Sequence, residues 1–493
     1  MIAKGTFNFA EPWKNSEAVR QIVAPTSVKD SVSKLWQVQA IVQHKFAELA
    51  GGPLQAAVGL AYRKESINDQ SANPDDPVRP FSRYYSVNAV GAVGSRNVKS
   101  AFFEISAPLI DKLELNGSGR YDDYSSGQTN FSPKVTIKYK PAEWLALRGT
   151  WSKGFRIPSF NEAFGLPTTG YATLQVNCTT YATFCAAHGN NNYAIGQYSL
   201  GRTSVGNPAL KPEKSQSWTV GAVVEPNRHI NFTVDYFNIK VKDLIGNIAA
   251  STQTAALDQY FRNNGVVNIP GIVVKPQVSD AAFPNALPLP GSIEFSFSNS
   301  DQETVSGIDF SLNTNYDLGP VNWKSTVDAS YVLRYEIRRD DGSIERYDGS
   351  LSPCDYTSCS GTPKWRGSWD NTFSIDKWSL NMTAYYTGGY DLASVDYGGI
   401  PGDCEGSIGK SVVTYSDGVT PVRCKTGPTW NVDMGIRYKM NDHVTLYGNV
   451  LNVFDIKPPF DPSATYSFTQ YNVTWAQANA VGRYFRVGAK IDF

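Results

Sequence analysis

Apolar and polar positions alternate along most of this chain. Leu54, Ala56, Val58, Leu60 and Tyr62 share one parity, against Ala57, Gly59, Arg63 and Glu65 on the other. The same pattern sets Leu113, Leu115, Gly117 and Tyr121 against Glu114, Asn116, Ser118, Arg120 and Asp122, and Phe232, Val234 and Tyr236 against Asn231, Thr233 and Asp235. It recurs at 135–139, 308–312, 327–333, 380–386, 432–438 and 444–452. Period two is the mark of a strand with one apolar face. About fifteen such strands are expected, each of roughly ten residues, the length that crosses a bilayer as a tilted strand. The last block alternates to the final residue. Phe485, Val487, Ala489, Ile491 and Phe493 oppose Tyr484, Arg486, Gly488, Lys490 and Asp492. The first set is expected to face lipid, and Arg486, Lys490 and Asp492 the interior.

The connections alternate in length. Short turns fall at 108–111, 140–143, 225–229, 317–320, 375–377 and 440–442; long polar loops fall at 66–97, 154–214, 242–300, 337–362, 389–427 and 455–477. This asymmetry predicts an all-β protein, an antiparallel transmembrane β-barrel with short periplasmic turns and long extracellular loops. A soluble sandwich or propeller has no need of it. Trp144, Trp323 and Trp378 adjoin short turns, where interfacial aromatics are expected, although each also suits an ordinary core. The expected organisation is a partial barrel over 32–493, preceded by 1–31 as an extracellular loop or the remnant of an earlier strand. If Phe493 ends a descending strand, the strand at 32–49 also descends. Bacterial barrels have even strand numbers, so further strands are expected upstream, unless 5–10 is a remnant of one.

Composition narrows this picture. Lys and Arg number 45 and Asp and Glu 45, so no net charge draws the chain to nucleic acid. No window approaches the ~18 consecutive apolar residues of a spanning helix, which excludes a helical membrane protein but not a barrel. The amino-terminal twenty residues carry no secretory h-region. All six cysteines lie in the long loops. Only one of their fifteen pairings keeps every partner within its own loop, namely Cys178–Cys185, Cys354–Cys359 and Cys404–Cys424. These disulfides fit an oxidising compartment and loops without a core of their own; free thiols are the competing reading. His44, His188, His229 and His443 form no metal-ligand spacing with the cysteines, so no metal and no cofactor is expected.

Five blocks carry a resemblance. They are FSPKVTIKYKPAEWLALRGTWSKGFRIPSFNEAF at 131–164, NPALKPEKSQSWTVG at 207–221, VDYFNIKVKDLI at 234–245, LYGNVLNVFDIKPPF at 446–460 and GRYFRVGAKIDF at 482–493. In this order and spacing the chain resembles the carboxy-terminal barrel portion of TonB-dependent outer-membrane receptors. Each block also has a local reason. Gly154 relaxes the backbone and Pro158 cannot continue a ladder, so the strand ends there. Arg156 and Glu162 are placed to pair across that exit, either as a loop anchor or as a solvated rim pair. Asn452 and Asp455 suit the capping of backbone groups at a loop entrance.

The resemblance implies a 22-stranded barrel of which this chain supplies about fifteen strands, in the outer membrane of a Gram-negative bacterium, surrounded by lipid. It implies uptake of a scarce nutrient, a ferric siderophore first and otherwise cobalamin or a carbohydrate, energised by TonB with ExbB and ExbD through an amino-terminal plug. The sequence has no plug and no TonB box, so the chain is expected to be a fragment or a reduced product. A terminal aromatic such as Phe493 resembles the signal read by the barrel assembly machinery. Loop aromatics Tyr171, Tyr181, Tyr193, Tyr260, Tyr356 and Tyr390 are the candidate ligand contacts. The chain is expected to be a monomer. A passive porin-like or surface-binding barrel is the alternative. An enzyme is not expected: no GxSxG or HExxH appears in a supporting context, and adjacent acids such as Asp122 and Asp123 point to opposite faces of a strand.

Overall fold

The computed structural model describes residues 6–24, 29–71, 91–248, 250–339, 342, 344–350, 354–355, 358–359, 361–391, 425–459, 471–472, 475 and 477–492. It begins with an exposed helix, α1 (Glu17–Val23), started by Ser16, whose hydroxyl accepts from the Val19 N–H. Six strands follow as an antiparallel meander: β1 (Ser31–Leu49), β2 (Gly52–Asp69), β3 (Ala92–Ile110), β4 (Leu113–Tyr124), β5 (Thr129–Ala142) and β6 (Leu145–Arg156). The chain then leaves this sheet through α2 (Phe160–Phe164), β7 (Thr168–Gln175), α3 (Ala182–Ala187), α4 (Asn192–Ile195) and β8 (Gln197–Val205). It returns as β9 (Glu213–Asn227) and β10 (Ile230–Gly246), and leaves again through α5 (Ala250–Arg262), β11 (Ile272–Pro276) and β12 (Pro290–Ser296). Next come β13 (Ser298–Leu318), β14 (Val321–Arg338), the short β15 (Ile344–Arg346), and the two-residue pair β16 (Cys354–Asp355) and β17 (Ser358–Cys359). The meander closes its path with β18 (Trp365–Ile375), β19 (Trp378–Thr387), β20 (Thr429–Lys439), β21 (Val444–Leu451), the helix α6 (Gln477–Ala480) and β22 (Tyr484–Ile491).

The large sheet is open, and this corrects the expectation of a closed transmembrane barrel. Its path runs β1-β2-β3-β4-β5-β6-β9-β10-β13-β14-β18-β19-β20-β21-β22, with β15 added to β14, and β1 does not pair with β22. Every neighbouring pair on the path is antiparallel, and fifteen strands is an odd number, so the two edge strands run the same way. A direct seam between them would be a parallel pair. Closure also ties strand number to tilt and stagger, which an open path leaves unmet.

The expected apolar face is present in strands β2 to β4 and in β22, whereas β1 exposes apolar residues on both parities. Val58 and Leu60 of β2, Phe103 and Ile105 of β3, Leu115 and Tyr121 of β4, and Phe485, Val487 and Ile491 of β22 are all exposed on the apolar face. Arg486 and Lys490 take the other parity. A water-soluble sheet would cover such a face with a second layer. Strands of up to 21 residues span about 70 Å at ~3.3 Å per residue, well beyond the ~30 Å of a hydrocarbon core, so they extend into the long-loop region. At the short-turn end, Tyr316, Trp323 and Phe373 stack in a row on neighbouring strands, with centroids 6.2 and 6.4 Å apart. Trp378 lies 4.5 Å from Tyr438 at the same end. No helix among the described residues is long and apolar enough to cross a membrane.

The second and third long loops, 154–214 and 242–300, differ from expectation in a second way. Instead of lacking a core, they fold together. Strands β11, β12, β8 and β7 form a four-stranded sheet in that order, in which β8 and β12 pair in parallel although they come from different loops. Leu200, Ala256, Ile272, Ile293 and Phe295 form one core, and Val176, Phe184, Cys185, Ala194 and Leu289 a second. The Cys178–Cys185 disulfide lies beside the second core, seven residues apart in sequence. In the second expected pair the backbones of Cys354 and Cys359 are register partners across β16 and β17. Cys404, Cys424 and Phe493 lie outside the described residues.

Candidate functional site

Long side chains gather on the polar face where the strands meet the cap formed by the loops at 154–214 and 242–300. Register brings Glu65 beside Arg96, Ser100 beside Asp122 and Arg156 beside Glu213 on neighbouring strands. With period two, each of these residues shares a face with Arg63, Arg120 and Tyr124. Together Arg63, Arg96, Arg120, Asp122, Tyr124 and Arg156 line a recess of about 550 Å³. A smaller recess of about 270 Å³ lies beside it, between Arg96, Ser125, Ser159 and Phe160.

The guanidinium groups are bridged rather than free. Glu65 takes Arg63 Nη2 at 2.7 Å and Arg96 Nε at 2.9 Å. Arg96 also donates to the Pro158 carbonyl at 2.8 Å and lies 4.6 Å from the centroid of Phe160. Arg120 Nε donates to both oxygens of Asp122, at 2.9 and 3.1 Å, and Nη2 to Ser100 Oγ at 2.8 Å. Arg156 Nε donates to Glu213 Oε2 at 2.7 Å, while Nη1 and Nη2 reach the two oxygens of Glu162 at 2.8 and 2.9 Å. Four acids therefore answer four arginines. Each guanidinium has five donors in a fixed fork, so pairing does not exhaust them. Arg63 Nε is buried and has no acceptor among the described residues. Tyr124 and Phe155, edge to face at 5.9 Å, supply an aromatic wall. The arrangement suits a compact, polar, planar ligand able to accept hydrogen bonds and stack.

The Arg156–Glu162 pair is local design as well as charge. Ser159 and Glu162 form a capping box for α2, in which the Ser159 hydroxyl accepts from the Glu162 N–H and the Glu162 carboxylate accepts from the Ser159 N–H. Burial works against ionising Glu162, but the bonds from Arg156 and Ser159 outweigh it and hold the carboxyl below the usual range. The pair thus anchors the loop root, as one of the two sequence readings had it. Asn452 and Asp455 also satisfy backbone groups. Asn452 bonds both the N–H and the C=O of Ile456, and Asp455 accepts from the Arg483 N–H.

The candidate aromatics separate by environment. Tyr171 is 75% exposed. Tyr260 is 2% exposed, and its hydroxyl donates to the Pro288 carbonyl at 3.0 Å. Burial raises that hydroxyl to about 12 and raises Tyr198 as well. Tyr193 donates to the Val278 carbonyl at 2.8 Å and accepts from the Leu289 N–H at 3.0 Å. Tyr181 donates to Asp258 at 3.0 Å and stacks near Phe261. Tyr390 is buried against Trp475, 4.3 Å away. Tyr356 lies outside the described residues. The arginine recess brings together strands far apart in sequence, and alternation alone marks only its inward parity. No cluster of three metal-ligating side chains occurs among the described residues.

The fold has relatives. The siderophore receptor PirA of Acinetobacter baumannii superposes with TM-score 0.58 at 16% identity, covering 94% of this chain and 55% of that one. A variant of the ferric enterobactin receptor PfeA of Pseudomonas aeruginosa, in complex with enterobactin, gives 0.60 at 15%, covering 94% and 55%. A variant of the Serratia marcescens hemophore receptor HasR, in complex with HasA and heme, gives 0.52 at 16%, covering 94% and 60%. The chain thus spans little more than half the length of these proteins. No match was found among the curated proteins. The sequence model described as "TonB dependent receptor-like, beta-barrel" matches residues 5–453, nearly the whole of the alternating region, and the chain belongs to that family.

Proposed function

We propose that the chain forms the membrane wall and part of the outer mouth of a receptor for TonB-energised uptake of a scarce nutrient, with a ferric siderophore as the first candidate. Members of this family are outer-membrane proteins of Gram-negative bacteria and not enzymes, and so is this chain. The observation that carries the reading is the recess lined by Arg63, Arg96, Arg120, Arg156 and Tyr124 at the root of the loop cap, with guanidinium donors and an aromatic wall in one place. Two of the structural relatives are a siderophore receptor and a ferric enterobactin receptor, which supports the substrate class. Residues 32–493 are proposed as the receptor-wall domain and 1–31 as lying outside it. Coupling to TonB, ExbB and ExbD would pass through a plug, and assembly through Phe493 and the barrel assembly machinery. Tyr171 is the proposed solvent-facing ligand contact, while Tyr181, Tyr193 and Tyr260 hold the cap. A monomer is the proposed state.

The test is titration of the folded protein with a ferric catecholate, a ferric hydroxamate and cobalamin, read by tryptophan quenching. Saturable quenching by one iron chelate, weakened about tenfold in Arg96→Gln through loss of charge-assisted donors, is the expected result. A steady, large conductance in planar bilayers with no saturable ligand would support a passive pore instead.

A further inference from the structure

Within the loop cap, the stretch 277–289 between β11 and β12 forms neither helix nor strand. Its base is closed by the Gln277 N–H donating to the Leu289 carbonyl, and 278–279 and 281–285 are exposed. It is a strap, fixed by the few groups that turn inward, and the other loop grips it with three side chains. Tyr193 holds the Val278 carbonyl and the Leu289 N–H. Asn191 Nδ2 donates to Asp280 Oδ2 at 2.7 Å. His188, with 0% exposure, reaches Asp280 Oδ2 through Nδ1 at 3.0 Å and the Leu287 carbonyl through Nε2 at 2.9 Å. The rings of Phe184, Tyr193 and Phe283 surround the imidazole, with centroids at 4.8, 5.1 and 6.3 Å. At Gly189, which has φ +62, a Cβ would stand 2.9 Å from the Phe283 ring, so the strap lies directly on the backbone there.

Both partners of this imidazole are acceptors. The Leu287 carbonyl has no hydrogen to give. The bond from Asn191, then those from the Ala282 N–H and from the ring itself, outweigh burial and hold the Asp280 carboxyl below the usual range, so it is a carboxylate that only accepts. A neutral imidazole has one N–H and one lone pair; it satisfies one of these partners and turns a lone pair on the other. Only the imidazolium donates to both. Among the described residues, Asp280 on the strap is the charged group at the ring, and Tyr193 on α4 is the other titratable group in contact. The helix α5 meets this core through Phe261, which packs on Phe184, and its Asp258 and Arg262 pair with each other at 2.8 Å. One carboxylate thus balances one buried cation, the condition under which such a charge is tolerated.

We propose that His188 is a proton-operated latch of the cap: as the imidazolium it holds the strap 277–289 to the neighbouring loop, and loss of its ring proton releases the strap. The charge-assisted bonds are present at the acid end and are lost as pH rises. Release uncovers the core of Val176, Phe184, Cys185 and Leu289. It leaves the four-stranded sheet paired, because none of its ladders passes through the ring. The latch belongs to the cap and does not depend on the uptake reading.

The experiment is amide hydrogen exchange of the folded full chain between about pH 5.5 and 8.5, corrected for the intrinsic rate. Amides of 277–289 are expected to lose at least about tenfold of their protection across this range, the scale of one charge-assisted hydrogen bond, while those of β8 and β12 keep theirs. Two variants locate the proton. Asp280→Asn takes away the ionised acceptor and should shrink the step. His188→Gln has no proton to lose in this range and should abolish it, with the strap held equally weakly at both ends. Constant wild-type protection of the strap, or an undiminished step in either variant, overturns the proposal. A step shared equally by the strap and the cap sheet would be general loosening and overturns it as well.

Discussion

Arg156 forks onto Glu162 across the root of the long loop at 154–214, with both guanidinium terminal nitrogens within 2.9 Å of a carboxylate oxygen. The same side chain also holds the nearly buried Glu213 of the next strand. One residue therefore ties the end of β6, the start of α2 and the start of β9. Arg156→Met is expected to leave Glu213 without its cation and to cost about 1–3 kcal/mol locally. Hydrogen exchange over 158–166 should rise, with the β1–β5 amides unchanged; equal protection would mean that the rim pair is merely solvated.

The same anchor should respond to acid. The Glu162 carboxyl is held below the usual range in the folded protein, so its contribution is present above the unfolded-state glutamate value, about 4.3, and is lost as pH falls through the folded one. Exchange over 158–166 should therefore be flat from pH 8 to 5 and accelerate below about 4 relative to the intrinsic rate. Glu162→Gln should remove the pH step.

The cap should fail separately from the large sheet. The Cys178–Cys185 bridge closes a short loop, and opening it is expected to cost the cap about 2–3 kcal/mol. Ile293→Ala, at a position with 0% exposure, should cost about 2–5 kcal/mol at the same place. In both cases limited proteolysis should cut within 165–205 and 247–297, while heat-modifiable migration of the sheet is retained.

Asn452 offers a test by sign. It has φ +50 and 0% exposure, and its side chain satisfies both backbone groups of Ile456. Asn452→Ala adds left-handed strain to the lost bonds and should cost about 2–4 kcal/mol, whereas Asn452→Gly avoids the strain and should cost about 1 kcal/mol less. Thermal unfolding followed by far-ultraviolet circular dichroism orders the two; equal losses would show that backbone conformation contributes nothing here.

Deleting Phe493 tests the proposed assembly signal. Outer-membrane fractions should lose most of the protein, with the chain accumulating in the periplasm. Unchanged assembly would leave the residue as an ordinary terminal aromatic.

Much of the local architecture was legible because strand chemistry is local. The alternation of Leu113, Leu115 and Tyr121 against Glu114, Arg120 and Asp122 states which residues share a face, and the spacing of short turns states which strands are neighbours. The family blocks at 131–164 and 446–460 are legible for the same reason: Gly154, Pro158, Asn452 and Asp455 each answer a need within a few residues. The arginine recess was not legible. Arg63, Arg96 and Arg156 are separated by long stretches, and only the register of β2 on β3, β3 on β4, β4 on β5 and β5 on β6 brings them together.

By itself the sequence determined strand, turn and facing, since a period of two depends only on each residue and its near neighbours. Tertiary structure alone decided three things. Whether the sheet closes depends on partners for both edge strands, a relation between distant segments. The folding of two polar loops into one cap depends on β8 meeting β12 in parallel. The burial of Tyr260 and the packing of Tyr193 depend on that cap, because an aromatic side chain suits a ligand and a core equally until the surrounding chain takes its place.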